Sequence, residues 1–410
     1  GSISNTGMSN EATFLGTKKS SDINATGLDN IGFVFPFPTV QGSLVFAFGY
    51  NRISDFASSV KFEGFNEQSS IIPNLSGNTL DNYDIPYKVY LKNDSGYTAL
   101  QKNVNQRGEI VEGGSLGQWS FSGAVDIEEN ISLGVSLNVF SGNYDYTRSF
   151  VEEDTRNVYN NTSTNLPSDS AYLRFNKFYL DNFLSSELSG SNITIGLMYR
   201  AEVFRFGIIA KGPTSIKVQE TYSDDGESVF DANGGTWTPS NPSRKYSTPV
   251  STNEYSVSSP WTFGAGGSLY ILPEFLLAAD IEYTDWTQIE WTENPYLEKR
   301  NSLLQSEFRS VISYRIGAEF DIPSTEVRVR GGYSMTPSPY KNDPSSFDQT
   351  MFTGGAGIFL QRNVVLDAAF AYGSTKSFRN EYTVAGLPNT ARVDKTITTT
   401  LVNFTVSYRF

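Results

Sequence analysis

The sequence predicts an all-β protein: a 14-stranded antiparallel transmembrane β-barrel of the bacterial outer membrane. Three observations predict this fold. Apolar and polar residues alternate along many segments, the number of such segments is even, and the connections between them alternate between short and long. Successive side chains of a strand point to opposite faces of a sheet, so alternate apolar residues form one continuous apolar face. Outer-membrane barrels combine such strands with short turns at one rim and longer loops at the other.

The end of the chain shows the alternation most clearly. Val402 and Phe404 alternate with Asn403 and Thr405, and the pattern continues to the last residue. A soluble β-sandwich shows the same alternation with its apolar face turned inward, so one segment alone does not distinguish the two folds. Counting every alternating segment, with a weak first strand near residues 3–15, gives fourteen.

The lengths of the connections favour a barrel over a sandwich, because a sandwich does not sort short and long connections to opposite ends. Residues 1–410 are therefore predicted to form a single barrel domain. The longest connection, predicted at about 61–116, is expected to form a partly folded cap at the cell surface. Its apolar residues either offer a hydrophobic groove or bury each other in a packed loop. The short turns are predicted near residues 38–42, 128–130, 201–204, 272–274, 321–325 and 361–363.

The composition excludes several classes of function. The chain has 44 acidic and 31 basic residues, a net charge of -13, and neither histidine nor cysteine. Ser-His-Asp and Cys-His catalytic systems and thiolate or imidazole metal sites are therefore ruled out. Phosphate contacts need a basic surface, so nucleic acid is not an expected partner. Gly113–Gly117 matches the G-x-S-x-G pattern, but without a histidine it is interpreted as a cluster of loop glycines. We expect no enzymatic activity, no metal and no cofactor.

Four arginines are the candidate ligand-binding residues. Arg309, Arg315, Arg328 and Arg330 lie on two adjacent predicted strands, at positions that face the barrel lumen. On these strands only Glu319 opposes them, so we expect a local positive excess that would bind the carboxylate of an amphipathic ligand. The alternative is that the arginines pair with carboxylates across strands and only hold a wet lumen in shape.

The third predicted strand breaks its own alternation. If its alternation continued unbroken, Arg52 would face the lipid and Ile53 would face the lumen. A bulge or break between Asn51 and Asp55 would restore the sorting, and bulges often lie beside functional sites. The alternative is that Arg52 reaches the outer membrane interface with its long side chain.

The C-terminal segment and three internal segments resemble known outer-membrane proteins. Leu401–Phe410 resembles the signal that the outer-membrane barrel assembly machinery reads, with Tyr408 and Phe410 as its aromatic residues. Three further segments resemble the FadL family of fourteen-stranded transporters of hydrophobic compounds: Ser259–Ser268, Ala279–Trp286, and Arg330–Tyr333 with Pro337 and Pro339.

The resemblance to the FadL family implies a function and a lateral gate. It implies transport of hydrophobic or amphipathic small molecules, above all long-chain fatty acids, from the outside of the cell through a barrel in the outer membrane bilayer. A kinked strand in that family opens toward the bilayer, so Arg52, Ile53 and Asp55 are the lateral-gate candidates. Family members also carry an N-terminal hatch with an Asn-Pro-Ala element ahead of the first strand. This sequence shows no such element, so the hatch mechanism is not carried over.

Two other functions remain open from the sequence. Some barrels of this family serve as scaffolds in secretion or protein assembly, and a barrel without a hatch could act as a non-selective pore.

Overall fold

The computed structural model describes residues 1–40, 42–75, 84–93, 95–159, 174–231, 243–361, 363–387 and 389–410. Strands account for nearly all of the regular structure. The helices are short: α1 (Ile85–Lys88), α2 (Pro295–Glu298) and α3 (Asn301–Glu307). Within these ranges, none of the helices has the length and apolarity needed to cross a bilayer. The strand segments are β1 (Ser2–Phe14), β2 (Thr17–Phe37), β3 (Leu44–Asp55), β4 (Ser58–Asn66), β5 (Val104–Glu128), β6 (Ile131–Glu153), β7 (Arg174–Arg200), β8 (Phe204–Lys211), β9 (Ser215–Asp231), β10 (Ser243–Ser247), β11 (Ser251–Ser258), β12 (Thr262–Leu272), β13 (Phe275–Asp285), β14 (Glu290–Thr292), β15 (Ser310–Asp321), β16 (Val327–Thr336), β17 (Gln349–Gln361), β18 (Val364–Asn380) and β19 (Arg392–Tyr408).

These segments form a closed barrel of fourteen antiparallel strands. Four of the fourteen barrel strands are interrupted, so that each consists of more than one segment. These are β3 with β4, β8 with β9, β10 to β12, and β13 with β14. Each strand pairs with its neighbour in the chain, and β19 pairs with β1 to close the sheet. The predicted fold class and strand number are confirmed.

The two rims of the barrel differ as predicted, with one exception and one shifted boundary. The six short turns lie at the rim that holds the C-terminus. The exception is the connection of β1 to β2 at the opposite rim, which is only Leu15 and Gly16. Both have positive φ values, 49° and 83°, as the tight turn of a hairpin requires. The longest connection runs from 67 to 103 rather than 61 to 116, because β4 and β5 extend further than the sequence pattern suggested.

The outward side chains divide the barrel into two zones. On β6, Leu133, Val135, Leu137 and Val139 are exposed on the outer face. The following outward residues are all polar: Ser141, Asn143, Asp145, Thr147 and Ser149. Because only an apolar outer face is stable against lipid chains, residues 131–140 of β6 cross the bilayer. Residues 141–153 belong to an upper barrel that stands above the membrane.

The inner side of the upper barrel is filled by a packed core. Ile71, Ile72, Val89, Leu91 and Leu100, all from the 67–103 connection, are at most 1% exposed. We call the described residues of this connection, 67–75, 84–93 and 95–103, the plug. Of the two interpretations of its apolar residues, the packed loop is confirmed. The barrel side chains that pack against the plug include Phe14, Phe62, Phe150, Phe175, Phe178 and Leu180.

The barrel wall is discontinuous beside β3. The ladder between β2 and β3 covers only Asn30–Phe37 against Leu44–Asn51. Next to it the pairing of β3 with β5 shifts register between Arg52 and Ser54, and the strand breaks at residues 56–57 before β4 begins. The predicted bulge is thus confirmed. Across the residues that the structure describes, 17–28 of β2 pair only with β1 and β4 pairs only with β5. We call the boundary between these two stretches the seam.

Gly114 supports the strand break, and its substitution tests this geometry. Its φ is +98° and its carbonyl oxygen accepts a 3.0 Å hydrogen bond from the Phe56 amide. A Cβ there would lie 2.2 Å from the Asn143 carbonyl oxygen. We expect Gly114→Ala to lower the free energy of unfolding by roughly 1–3 kcal/mol, measured by urea titration of the barrel in liposomes. The control is Gly113→Ala, where a Cβ meets nothing within 4 Å. Equal losses for both variants would contradict the assignment.

Candidate functional site

The lumen of the membrane-spanning zone contains a cavity of about 540 Å³ between β13 and β18. Its inward positions are mostly small: Ala278, Gly317, Gly332, Gly355 and Ala369 all line it. Small residues leave room inside the wall, and a cavity of this size accommodates a small organic ligand.

Two of the four predicted arginines, Arg315 and Arg330, line this cavity, and Arg328 joins Arg330 at their shared partner Glu319. Arg330 bridges two carboxylates, with Nε 2.7 Å from Glu319 Oε2 and Nη1 2.6 Å from Asp367 Oδ1. Arg328 Nη1 lies 3.1 Å from Glu319 Oε1, and the same guanidinium also pairs with Asp321. The arginines therefore form a cross-strand ion-pair network rather than a row of free cations.

The remaining two arginines differ in their positions. Arg315 Nη1 lies 2.8 Å from Asp280 Oδ1 on the neighbouring strand. Arg309 is not part of the cluster. It lies directly before β15, six residues and on the order of 20 Å from Arg315, and donates to the Ser338 carbonyl oxygen at 3.0 and 3.1 Å.

The predicted positive excess is wrong. Three arginines face the four carboxylates of Asp280, Glu319, Asp321 and Asp367, so the local net charge is -1 (3 minus 4). The error has a physical reason: Asp280 lies on β13 and Asp367 on β18, outside the count along β15 and β16, and Asp321 lies at the end of β15, where the sequence pattern predicted a turn. The ligand-binding role of the four arginines stays a prediction.

Arg52 lies at the foot of the seam and points into the barrel. Its side chain is only 10% exposed. Nη1 lies 3.0 Å from Asp55 Oδ2, while Nη2 contacts Ser4 Oγ at 2.7 Å and Asp29 Oδ1 at 3.5 Å. The alternative that Arg52 reaches the outer interface is wrong. Ile53, which is 48% exposed, takes the outward place instead.

Residues that sequence reasoning missed hold Arg52 in this place. The register between β1 and β2 shifts so that Asp29 is the extra residue of a second bulge, directly opposite the first. Asp29 also accepts a 3.0 Å hydrogen bond from Asn403. A Cβ on Gly27 would lie 2.8 Å from Arg52 Nη1, so this glycine leaves space for the guanidinium. The available signal was an acidic residue two positions before the apolar run that starts at Ile31.

Side chains, not a backbone ladder, close the seam above Arg52. Asn10 Nδ2 and Ser21 Oγ each donate to the Ser59 carbonyl oxygen at 2.6 Å. The outer edge is bridged by Lys19 Nζ and Glu63 Oε2 at 2.9 Å. The exposed ion pair is weak, since such pairs stabilise by about 0–1 kcal/mol. The seam is therefore held by side-chain contacts, without a backbone ladder between its described residues.

The two aromatic residues of the predicted assembly signal lie at the short-turn rim. Tyr408 is the last residue of β19, and its ring centroid lies 6.4 Å from that of Phe410. Both are exposed on the outside, at 63% and 82%. Their accessibility suits a recognition signal, and recognition by the assembly machinery stays a prediction.

Comparisons with known proteins place this barrel in a wider group. The sequence profile of the family described as "Outer membrane protein transport protein (OMPP1/FadL/TodX)" matches residues 115–410. The crystal structure of a Pseudomonas aeruginosa FadL homologue is similar with a TM-score of 0.51 and 11% identity, over 99% of this chain and 90% of that one. The crystal structure of the P. putida toluene transporter TodX gives a TM-score of 0.51 and 10% identity, over 100% and 90%. At such identities the likeness shows the fold alone. No curated protein sequence matches the chain.

The profile match covers well over half of the chain and includes eleven of the fourteen barrel strands from β5 onward, in whole or in part. The match and the closed fourteen-stranded barrel agree on the cellular location, the outer membrane. The chain therefore belongs to the OMPP1/FadL/TodX family of outer-membrane transport proteins.

Proposed function

We propose that this barrel carries neutral hydrophobic small molecules, aromatic hydrocarbons foremost, into the outer membrane through a lateral exit at the foot of the seam. The observation that carries the proposal is the seam itself, where the backbone ladder stops above Asn30 and Asn51 and Ile53 bulges outward. The family membership and the likeness to a structure named a toluene transporter support the ligand class.

The position of the seam suits a hydrophobic exit. The ladder stops at the upper edge of the apolar belt, next to the outward aromatic rings of Tyr50 and Trp119. Ile3, Leu28 and Ile53 continue the apolar surface beside the seam and are 48–57% exposed. Opening a paired wall in lipid would leave backbone N–H and C=O groups unsatisfied, at several kcal/mol each. At the seam there is no ladder to break, so separation costs only side-chain contacts.

The charge of the lumen favours a neutral ligand over a long-chain fatty acid. Arg315, Arg328 and Arg330 are already neutralised by carboxylates, and the local net charge is -1. A fatty-acid carboxylate would have to displace one of these partners and leave it unpaired in the lumen, which is costly. A neutral hydrocarbon needs only the apolar walls and the space that the small inward residues leave.

Uptake by cells tests the ligand class. Cells that lack their own hydrophobic transporters should take up labelled toluene several times faster with this barrel than without it, whereas entry of a small hydrophilic dye should not increase. Labelled oleate, measured in parallel, should show a smaller gain, because its carboxylate meets a lumen of net negative charge. Dye entry would indicate a non-selective pore instead, and a gain for oleate alone would contradict the neutral-ligand proposal. A stably co-purifying protein without any uptake would point to the scaffold function.

Arg52 provides the second test. We expect Arg52→Leu to lower toluene uptake several-fold, because Asp29 and Asp55 would lose their counter-charge and hold water in the exit. The control is Arg107→Leu, which removes an exposed arginine that pairs with Glu153 on the outer face of the upper barrel. Heat-modifiable gel mobility confirms assembly of both variants. Unchanged uptake by a normally assembled Arg52→Leu barrel would refute a role of Arg52 in the gate.

Cross-linking tests whether the seam must separate. The chain has no cysteine, so Lys19→Cys with Glu63→Cys places a unique thiol pair across the seam, where the native side chains meet at 2.9 Å. A short bis-thiol reagent should reduce toluene uptake several-fold. The matched pair is Lys61→Cys with Glu109→Cys, whose native side chains meet at 3.2 Å across the ladder of β4 and β5. This control should keep its uptake, and equal inhibition of both pairs would show that seam opening is not required.

A further inference from the structure

A buried carboxylate fastens the plug to the barrel. Glu152 lies on the inward face of β6, near its upper end, and is 0% exposed. Its Oε2 accepts a 2.5 Å hydrogen bond from Ser70 Oγ, and its Oε1 accepts one of 2.7 Å from the Ile71 amide. Both donors belong to the plug. A third hydrogen bond, of 2.6 Å, comes from Gln106 Nε2 of β5.

The hydrogen bonds continue from Gln106 to two further parts of the upper barrel. Gln106 Nε2 lies 2.6 Å from the Tyr382 hydroxyl, in the connection between β18 and β19. Asn66, at the end of β4, donates to Gln106 Oε1 at 3.0 Å and to the Thr390 carbonyl oxygen at 3.0 Å. Ser69 of the plug meets the Tyr382 hydroxyl at 2.9 Å. Glu152 is therefore the charged centre of a network that joins the plug to β4, β5, β6 and the last loop.

Glu152 has no cationic partner among the described residues. The charged groups nearest in the fold are engaged elsewhere. Arg148, four residues lower on the same face, pairs with Glu381 at 3.1 Å. Lys92 of the plug bonds to the Leu75 carbonyl oxygen and to Asp84. Asp154, beyond the end of β6, accepts from the Val158 and Tyr159 amides. The titratable groups that face Glu152 are otherwise phenols, those of Tyr382 and Tyr159.

The surroundings make Glu152 a group that titrates near neutral pH. It lies in the upper barrel, where the outward neighbour Glu153 pairs with Lys177 and Arg107 rather than facing lipid. Burial raises the pKa of Glu152 to about 7, against the opposing effect of its three hydrogen bonds. Burial also raises the pKa of Tyr382, so this phenol stays a neutral donor over the same range.

We propose that the plug is a proton-dependent closure of the upper lumen and that Glu152 is the group that takes the proton. With Glu152 neutral, the core holds no unpaired charge, and Oε1 still accepts from the Ile71 amide and Gln106 Nε2. The plug then stays seated. With Glu152 ionised, an uncompensated charge lies in a dry core, and release of the plug into water relieves it.

The direction of the pH dependence follows from linkage. The pKa of Glu152 is about 7 in the seated plug and near its ordinary value of 4.5 when the plug is released. Seating therefore takes up a proton. It is most favourable below pH 4.5, weakens as the pH rises from 4.5 to 7, and stays at its weakest above that. Between pH 5 and pH 8 the ratio of released to seated plug should rise on the order of fiftyfold.

Thiol labelling of the purified barrel measures this ratio without any transport ligand, so the outcome is separate from that of the uptake tests. Val89→Cys places a single thiol in the plug core, where the native side chain is 0% exposed, and Tyr97→Cys places one at a 58% exposed position of the same segment. Both thiols share the intrinsic pH dependence of the reaction. The labelling rate of Val89→Cys divided by that of Tyr97→Cys should therefore rise by tens-fold from pH 5 to pH 8.

Variants of Glu152 complete the experiment. Glu152→Gln mimics the neutral acid, so its labelling ratio should stay low and flat from pH 5 to pH 8. Glu153→Gln, which neutralises the adjacent outward carboxylate, should keep the wild-type rise. A ratio that is constant with pH in the otherwise unmodified barrel overturns the proposal and needs no variant that could fail to assemble. A rise that persists in Glu152→Gln also overturns it.

Discussion

The structure depends on one constraint: in a bilayer, every backbone N–H and C=O group must find a hydrogen-bond partner within the protein. A closed antiparallel ladder meets this constraint, and the pairing of β19 with β1 closes the membrane-spanning zone, so that its described strands leave no free edge. The same constraint explains where the backbone ladder can stop. The ladder between β2 and β3 ends at Asn30 and Asn51, near the upper edge of the apolar belt. Unpaired backbone is tolerated there because water and side chains can satisfy it.

Charges inside the barrel are arranged by the same requirement for partners. Arg330 bridges Glu319 and Asp367, and Arg52 contacts Asp29 and Asp55. Arg330 joins β16 to its neighbour β15 and, across β17, to β18, and Arg52 joins β3 to β2. These pairs therefore hold strands of the sheet together as well as placing charge in a wet lumen. The consequence for transport is that these arginines are occupied by fixed carboxylates. Under the proposed function, selectivity depends on the space between small inward residues more than on a free charge.

The fold and the bulge could be predicted from the sequence because both depend on the local alternation of apolar and polar residues. The period of two is visible in any ten residues, and Arg52 breaks it within a single strand. The partners of a side chain were not predictable in the same way. Asp280 is 35 residues from Arg315, and Asp29 is 23 residues from Arg52, so only the register of the folded sheet brings them together. The plug was visible only as a long connection, since its burial depends on contacts with Phe14, Phe150 and Phe178 from distant strands.

The upper barrel escaped prediction for a more specific reason, which also explains the buried network. On β6 the apolar positions change phase near residue 140: Leu133 to Val139 point outward, whereas Phe140 and Phe150 point inward. On β7 the same change separates outward Ile193 and Ile195 from inward Phe178 and Leu180. The strand itself continues without a bulge, because its pairing register is unbroken. A search for one continuous apolar face therefore ends the strand at the membrane surface. Above that surface the protein folds as a soluble protein does, with a dry core inside and water outside. Only in such a core can Glu152 be buried away from lipid and still exchange protons with the external solution.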